Sequence, residues 1–159
     1  MRLFTIGVYG SSEEEFFNKL LTNDIDLFID IRRRRGVRGS KYAFVNSIRL
    51  QKKLDDMGIS YLHEIYLSPT KEVREVQKKV DMIKNIQKRK RHFLSQEFRD
   101  AFSSEIIATF NFDDFIKVNE LQTKNIVLFC VEKTPLACHR SYVAEKMQAL
   151  DPSLVVKHL

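Results

Sequence analysis

Short apolar runs alternate with longer amphipathic stretches along the chain, and that alternation sets the expected elements. RLFTIGV (residues 2–8) is largely apolar and turns at Gly7, which suits a first strand. In the following SSEEEFFNKLL, Ser11 or Ser12 is placed to cap a helix, and Glu14 or Glu15 completes a capping box. Phe16, Phe17, Leu20 and Leu21 give that helix an apolar stripe. DLFIDIR (residues 26–32) is apolar until Asp30, as expected of a strand buried on both faces. VNSIRLQKKLDDMG reads as a helix capped at Asn46 or Ser47 and stopped at Gly58, followed by a short strand in ISYLHEI.

From Thr70 to about Lys90 the spacing predicts one helix, with Val73, Val76, Val80, Ile83 and Ile86 on a single face. Residues 95–121 carry Phe98, Phe102, Ile106, Phe110, Phe115 and Leu121 at helical spacings, with a break near Asn111. NIVLFCV is a fourth strand, CHRSYVAEKMQAL a helix, and SLVVKHL a last strand. Strands alternating with helices predict a single α/β domain: a mostly parallel sheet of four or five strands with helices on both faces. Ligands of open α/β sheets sit beyond the carboxyl ends of the strands. Here Gly7, Asp30, Arg32, Cys130 and Glu132 all fall at such ends, so three segments distant in sequence direct their chemistry to one rim.

Composition narrows the class. At 159 residues the chain can bury an ordinary single-domain core, and its charged fraction is that of a soluble globular protein. No apolar run approaches the ~20 residues that span a bilayer, and the N-terminal residues do not have the form of a signal peptide. Two cysteines are too few for a disulfide scaffold, which predicts a reducing cytoplasm. The net charge of +6 leans towards polyanionic partners. It is clustered: Arg32, Arg33, Arg34, Arg35, Arg38 and Lys41 form one run, and Lys78 to Arg91 holds another. Gly36 and Gly39 break the first run, so it reads as a loop. Its arginines suit phosphates, and Tyr42 and Phe44 suit stacking on bases.

FCVEKTPLACHR (residues 129–140) holds both cysteines. Cys130, Cys138 and His139 are soft metal ligands, with Glu132 as a fourth or outer ligand, but there is no C-x-x-C pair. Adjacent Cys138 and His139 are also expected to be poorly placed for one ion, so neither a metal nor another cofactor is expected. A deaminase motif is one cysteine short, and its two halves are too close together. Cys138, at the start of a helix beside His139 and Arg140, has the setting of an activated thiol, and also that of a small packing residue. The favoured expectation is an anion at that helix start, clamped by Arg140 and Arg32, with Gly7 and Cys130 lining the site. Asp30 and Glu132 then orient the arginines or serve as acid and base with Cys138 and His139. The alternative for the acids is simple buried ion pairing, Asp30 with Arg32 and Glu132 with Arg140.

These motifs, TIG at Thr5–Gly7, D-I-R at Asp30–Arg32 and C-V-E-K-T-P-L-A-C-H-R at Cys130–Arg140, resemble those of the domain of unknown function 488 family. The loop RRRRGVRGSKYAF and LSPTKEVR at Leu67–Arg74 resemble one subgroup of it. The resemblance implies the α/β fold and the site residues, and names no reaction. The reading taken forward is a nucleotide- or nucleic-acid-directed protein with a phosphate-bearing ligand. Arg33, Arg34, Arg35, Arg38, Lys41 and Tyr42 make its nucleic-acid contact. The competing readings are a non-catalytic module that senses a small phosphorylated metabolite, and a thiol-dependent enzyme acting on a small molecule.

Overall fold

A computed structural model describes the backbone of residues 1–159 and every side chain except that of Arg89. Its elements, in chain order, are β1 (Arg2–Ile6), α1 (Glu13–Thr22), β2 (Leu27–Asp30), α2 (Ser47–Asp56), β3 (Ser60–His63) and α3 (Lys71–Ile83). There follow α4 (Gln96–Phe102), α5 (Phe112–Val118), β4 (Asn125–Phe129), α6 (His139–Leu150) and β5 (Val156–His158). The five strands form one sheet in the order β3-β2-β4-β1-β5, and every pairing is parallel. Among the described residues no helix is long and apolar enough to cross a membrane.

Both faces of the sheet are covered, which is why the strands are apolar throughout. Phe16, Phe17 and Leu20 of α1 and Leu50 and Leu54 of α2 pack on one face with Phe4, Phe28, Val127 and Phe129. Val73, Phe98, Phe102, Phe112, Phe115 and Val143, from α3 to α6, pack on the other with Leu3, Ile29, Ile126 and Leu128. The chain runs from β1 through β2 to the β3 edge, then returns through β4 to β5. With crossovers of one hand, that reversal requires the helices to change face after β3, so α1 and α2 lie on one face and α3 to α6 on the other. β4 therefore lies between two strands, β1 and β2, whose outgoing helices lie on the opposite face from its own. Such reversals open a crevice at the carboxyl ends of the strands, and here β4 has one on each side.

Two expected elements end differently. The helix of residues 70–90 stops at Ile83, because Asn85 adopts a left-handed conformation with φ of 50°. The amides of Asn85 and Ile86 then bond back to the carbonyls of Met82 and Asp81 at 3.2 and 2.8 Å, a Schellman closure. Ile83 and Ile86, expected on the buried stripe, are consequently exposed. The phenylalanine-rich stretch is interrupted at Asn111 as its pattern indicates, and the Asn111 side chain caps α5 by accepting from the Asp114 amide at 3.1 Å. It also contains a π-helical turn at Ser103–Ile107 that the spacing does not reveal.

Candidate functional site

Side chains alternate along a strand, so consecutive residues serve opposite faces: Phe129, in register with Asp30, shares its face, and Cys130 takes the other. Asp30 and Arg32 lie on the α1/α2 side. Arg32 Nε and Nη2 donate to the two oxygens of the buried Asp30 carboxylate at 2.8 and 2.7 Å, and Nη2 also donates to the Val45 carbonyl at 3.0 Å. Tyr61 Oη donates to Asp30 Oδ2 at 2.9 Å, and the guanidinium carbon sits 4.5 Å from the Phe129 ring centre. Burial and then the Asp30 charge push the Tyr61 phenol up to about 12. Among the described residues, only Nη1 of this guanidinium lacks a hydrogen-bond partner. Asp30 and Arg32 thus form the buried ion pair that was the alternative reading of these residues.

Cys130, Cys138 and His139 occupy the other face, against α6. Cys138 caps α6 in an extended conformation (φ −140°, ψ 142°), and His139 begins the helix. The change of backbone direction between them lets both side chains turn to the same point, together with Cys130 from the end of β4. His139 Nδ1 is 3.9 Å from the sulfur of each cysteine, and the three donor atoms lie within 4.8 Å of one another. Adjacency in sequence is therefore no obstacle to convergence, contrary to the expectation drawn from spacing. His139 Nε2 is 3.1 Å from the Ile31 carbonyl oxygen. A carbonyl only accepts, so Nε2 carries a proton and Nδ1 is the atom presented to the sulfurs. A hydrogen bond with Cys138 and burial raise the Cys130 thiol. Burial would raise Cys138 too, but the Cys130 hydrogen bond and the His139 and Arg140 charges bring it well below the ordinary thiol range. The pair therefore favours a thiol at Cys130 and a thiolate at the helix N-terminus.

Arg140 is fully buried and builds the rim. Its Nη1 donates to the Glu132 carbonyl, its Nη2 to the Lys133 carbonyl at 3.1 Å, and its Nε to Thr5 Oγ1 at 3.4 Å. The joint Arg32–Arg140 anion clamp is not formed: one guanidinium closes on Asp30, and the other holds backbone carbonyls. Nor does Arg140 pair with the Glu132 carboxylate. Gly7 explains how the segments come so close, since a Cβ there would stand 2.0 Å from the Glu132 carbonyl oxygen. Its lack of a side chain is what permits that close approach. Thr5 links this knot to β5 through His158 Nδ1 at 2.7 Å.

The Glu132 carboxylate is 8 % exposed, and burial raises it despite the Lys88 ammonium 3.5 Å from Oε1. Oε1 has no hydrogen bond of good geometry among the described residues. It faces a cavity of about 170 Å³ lined by Tyr9, Tyr42, Arg91, Lys133 and Thr134 among others. Tyr9 and Tyr42 have ring centres 5.1 Å apart, and Tyr42 Oη accepts from the Gly10 amide at 3.0 Å. Arg33, Arg34, Arg38 and Lys41 are exposed around this side, while Arg35 is half-buried and reaches Tyr61. Arg33 Nε donates to the Pro69 carbonyl at 3.0 Å, and Lys41 Nζ lies 5.4 Å over the Tyr42 ring. Phe44, expected as a stacking surface, is buried in the core instead.

The sequence pattern singles out neither Tyr9 nor Tyr61 for the site, and it includes Thr5 only as part of TIG and Arg91 only as the end of the second basic run. Arg91 pairs with Asp81 at 2.7 Å and reaches the Ala137 carbonyl at 3.4 Å, so part of the second basic run braces the cleft. Only the position of Tyr9 directly after the first strand hinted at its place. Comparison with curated proteins finds no match, and comparison with solved structures finds none either. The family model described as Domain of unknown function DUF488 matches residues 12–147, most of the chain, and the chain belongs to that family.

Proposed function

We propose that the protein is a nucleotide- or nucleic-acid-directed α/β protein that takes a phosphate-bearing ligand in the cleft between Tyr42 and Glu132. One observation carries this reading: Tyr42, from the end of the arginine-rich loop, and Glu132, Lys133 and Thr134, far from it in sequence, line one cavity together with Arg91. The parts match the ligand class. Lys133 and Lys88 attract phosphate, the rings of Tyr9 and Tyr42 suit stacking on a base, and Glu132 contributes a buried carboxylate to the wall. Exposed Arg34, Arg38 and Lys41 extend the positive surface outwards along a strand. The reading places the protein in the reducing cytoplasm, where a close thiol pair such as Cys130 and Cys138 persists unoxidised.

The modest size of the cavity favours a second reading, a module that senses a small phosphorylated metabolite. Binding of a labelled single-stranded oligonucleotide, followed by fluorescence anisotropy across a salt series, separates the two. The nucleic-acid reading expects affinity to fall steeply with salt and the slope to flatten by about 0.7 for each phosphate contact removed from a single strand, as in Arg34→Ala with Arg38→Ala. Affinity indifferent to salt and to both substitutions, alongside saturable binding of a mononucleotide, selects the metabolite reading.

A further inference from the structure

We infer that Cys130, Cys138 and His139 form a binding site for one borderline divalent cation of the zinc class, with the fourth coordination position left to water or a ligand atom. The site uses side chains that the cleft reading leaves idle, and it does not rest on that reading.

Geometry comes first. Zinc–sulfur bonds of about 2.3 Å and zinc–nitrogen bonds of about 2.0 Å at tetrahedral angles separate sulfur from nitrogen by about 3.6 Å. His139 Nδ1 stands 3.9 Å from both sulfurs, a few tenths of an ångström too far. The sulfurs, within 4.8 Å of each other, close by at most about 1 Å to reach the ~3.8 Å that zinc sets between them. Hydrogen bonding comes second. Nε2 donates to the Ile31 carbonyl at 3.1 Å, and metal-bound histidines hold their free ring N–H in the same way. That bond fixes the ring with the Nδ1 lone pair aimed between the sulfurs. The ring is further held edge-on against Phe102, with centres 5.7 Å apart.

Charge is the third argument. Two thiolates and a neutral imidazole around a divalent cation make a neutral set, the form in which charge is tolerated in a buried place. All three residues are buried and both cysteines are free. No fourth carboxylate, cysteine or histidine joins the group among the described residues. Three protein ligands with an open position is the arrangement of zinc sites that carry an exchangeable water, in contrast to closed structural sites. The cleft wall includes Ala137, the residue before Cys138, so the cluster lies next to the cavity in the chain.

The test uses the full chain, reduced and stripped of metal with a chelator, titrated with Co²⁺ as the optical probe. The site predicts an end point at one cobalt per chain. Thiolate-to-cobalt charge-transfer bands should appear in the near ultraviolet, tetrahedral bands in the visible, and Zn²⁺ should remove both. Cys130→Ser and Cys138→Ser should each weaken binding by more than about 100-fold, beyond the loss typical of deleting an outer partner. A cobalt spectrum without thiolate bands overturns the inference, as does equal uptake by either variant. Should the variants fail to fold, the unsubstituted chain decides. Zn²⁺ should slow modification of its cysteines by a thiol reagent by at least about tenfold, and unchanged rates overturn the site. Oligonucleotide affinity of the Cys130→Ser variant reports separately on the cleft.

Discussion

Two buried polar clusters share the carboxyl rim of the sheet, and they are completed to very different degrees. Asp30 and Arg32 satisfy each other with two hydrogen bonds, and Tyr61, the Val45 carbonyl and the Phe129 ring take up most of what remains. Cys130, Cys138 and His139 converge with their donor atoms within 4.8 Å of one another, each 3.9 Å sulfur–nitrogen approach being too long for more than a weak contact. Burial and charge alone do not mark function. The nearly saturated cluster ties the start of the basic loop to the end of β2 and to the Val45 carbonyl, whereas the other leaves its donor atoms only weakly engaged.

The largest expected effect breaks the saturated side. Asp30→Asn leaves the Arg32 guanidinium buried without its counter-charge and should cost about 3–5 kcal/mol in urea denaturation. Cys138→Ser on the metal-free chain should cost only about 1 kcal/mol. The reverse order would show the contrast to be wrong. Next is Gly7→Ala: its methyl meets backbone rather than a yielding side chain, so about 3 kcal/mol should be lost. A fully stable Gly7→Ala protein would mean that Glu132 and β1 do not approach as described.

Tyr61→Phe should cost about 1.5 kcal/mol, because a charged acceptor loses its donor. Spectrophotometric titration sharpens this point. One of the chain's five tyrosines should ionise near 12, and that step should vanish in the variant. Since the folded phenol keeps its proton above the ordinary value of 10, the stability it lends is present below pH 10 and declines towards 12.

The smallest effect involves His158. Burial, then the Arg140 charge, hold its imidazole below the ordinary 6.5, so the unfolded chain binds that proton more readily. Stability should therefore be complete above 6.5 and decrease as acid takes the pH towards the depressed folded value. His158→Gln should remove this part of the slope in thermal melts, and an unaltered slope would reassign it to another group.

Much of the architecture was legible because local signals and the fold agree. Ser12 and Glu15 make the reciprocal capping box, and the uninterrupted apolar strands belong to a sheet covered on both faces. Asn85 misled because an asparagine that ends a helix in a left-handed conformation looks, in sequence, like a solvated position within it. At the rim, the meeting of Gly7, Asp30 and Cys130 was readable because parallel strands end together. Their division between faces was not, since it depends on which strands pair and in what register. The Cys138–His139 geometry was hidden for another reason: it arises where extended backbone becomes helix, a junction that ligand-spacing rules do not describe. Arg140 shows the same limit, because its partners are carbonyls, to which side-chain patterns are blind.

β4 is bordered by a reversal on either side, so its outgoing loop forms a wall of both crevices at once. That gives the chain very unequal tolerance for added length. Residues inserted at Gly39, where φ is 84° and nothing crowds the α-carbon, would loop outwards and leave the sheet rim intact. Residues inserted between Val131 and Ala137 would have to be absorbed against Tyr9, Gly7 and the start of α6 together. Added length should therefore be tolerated in the arginine-rich loop and destabilise the fold in the segment after β4.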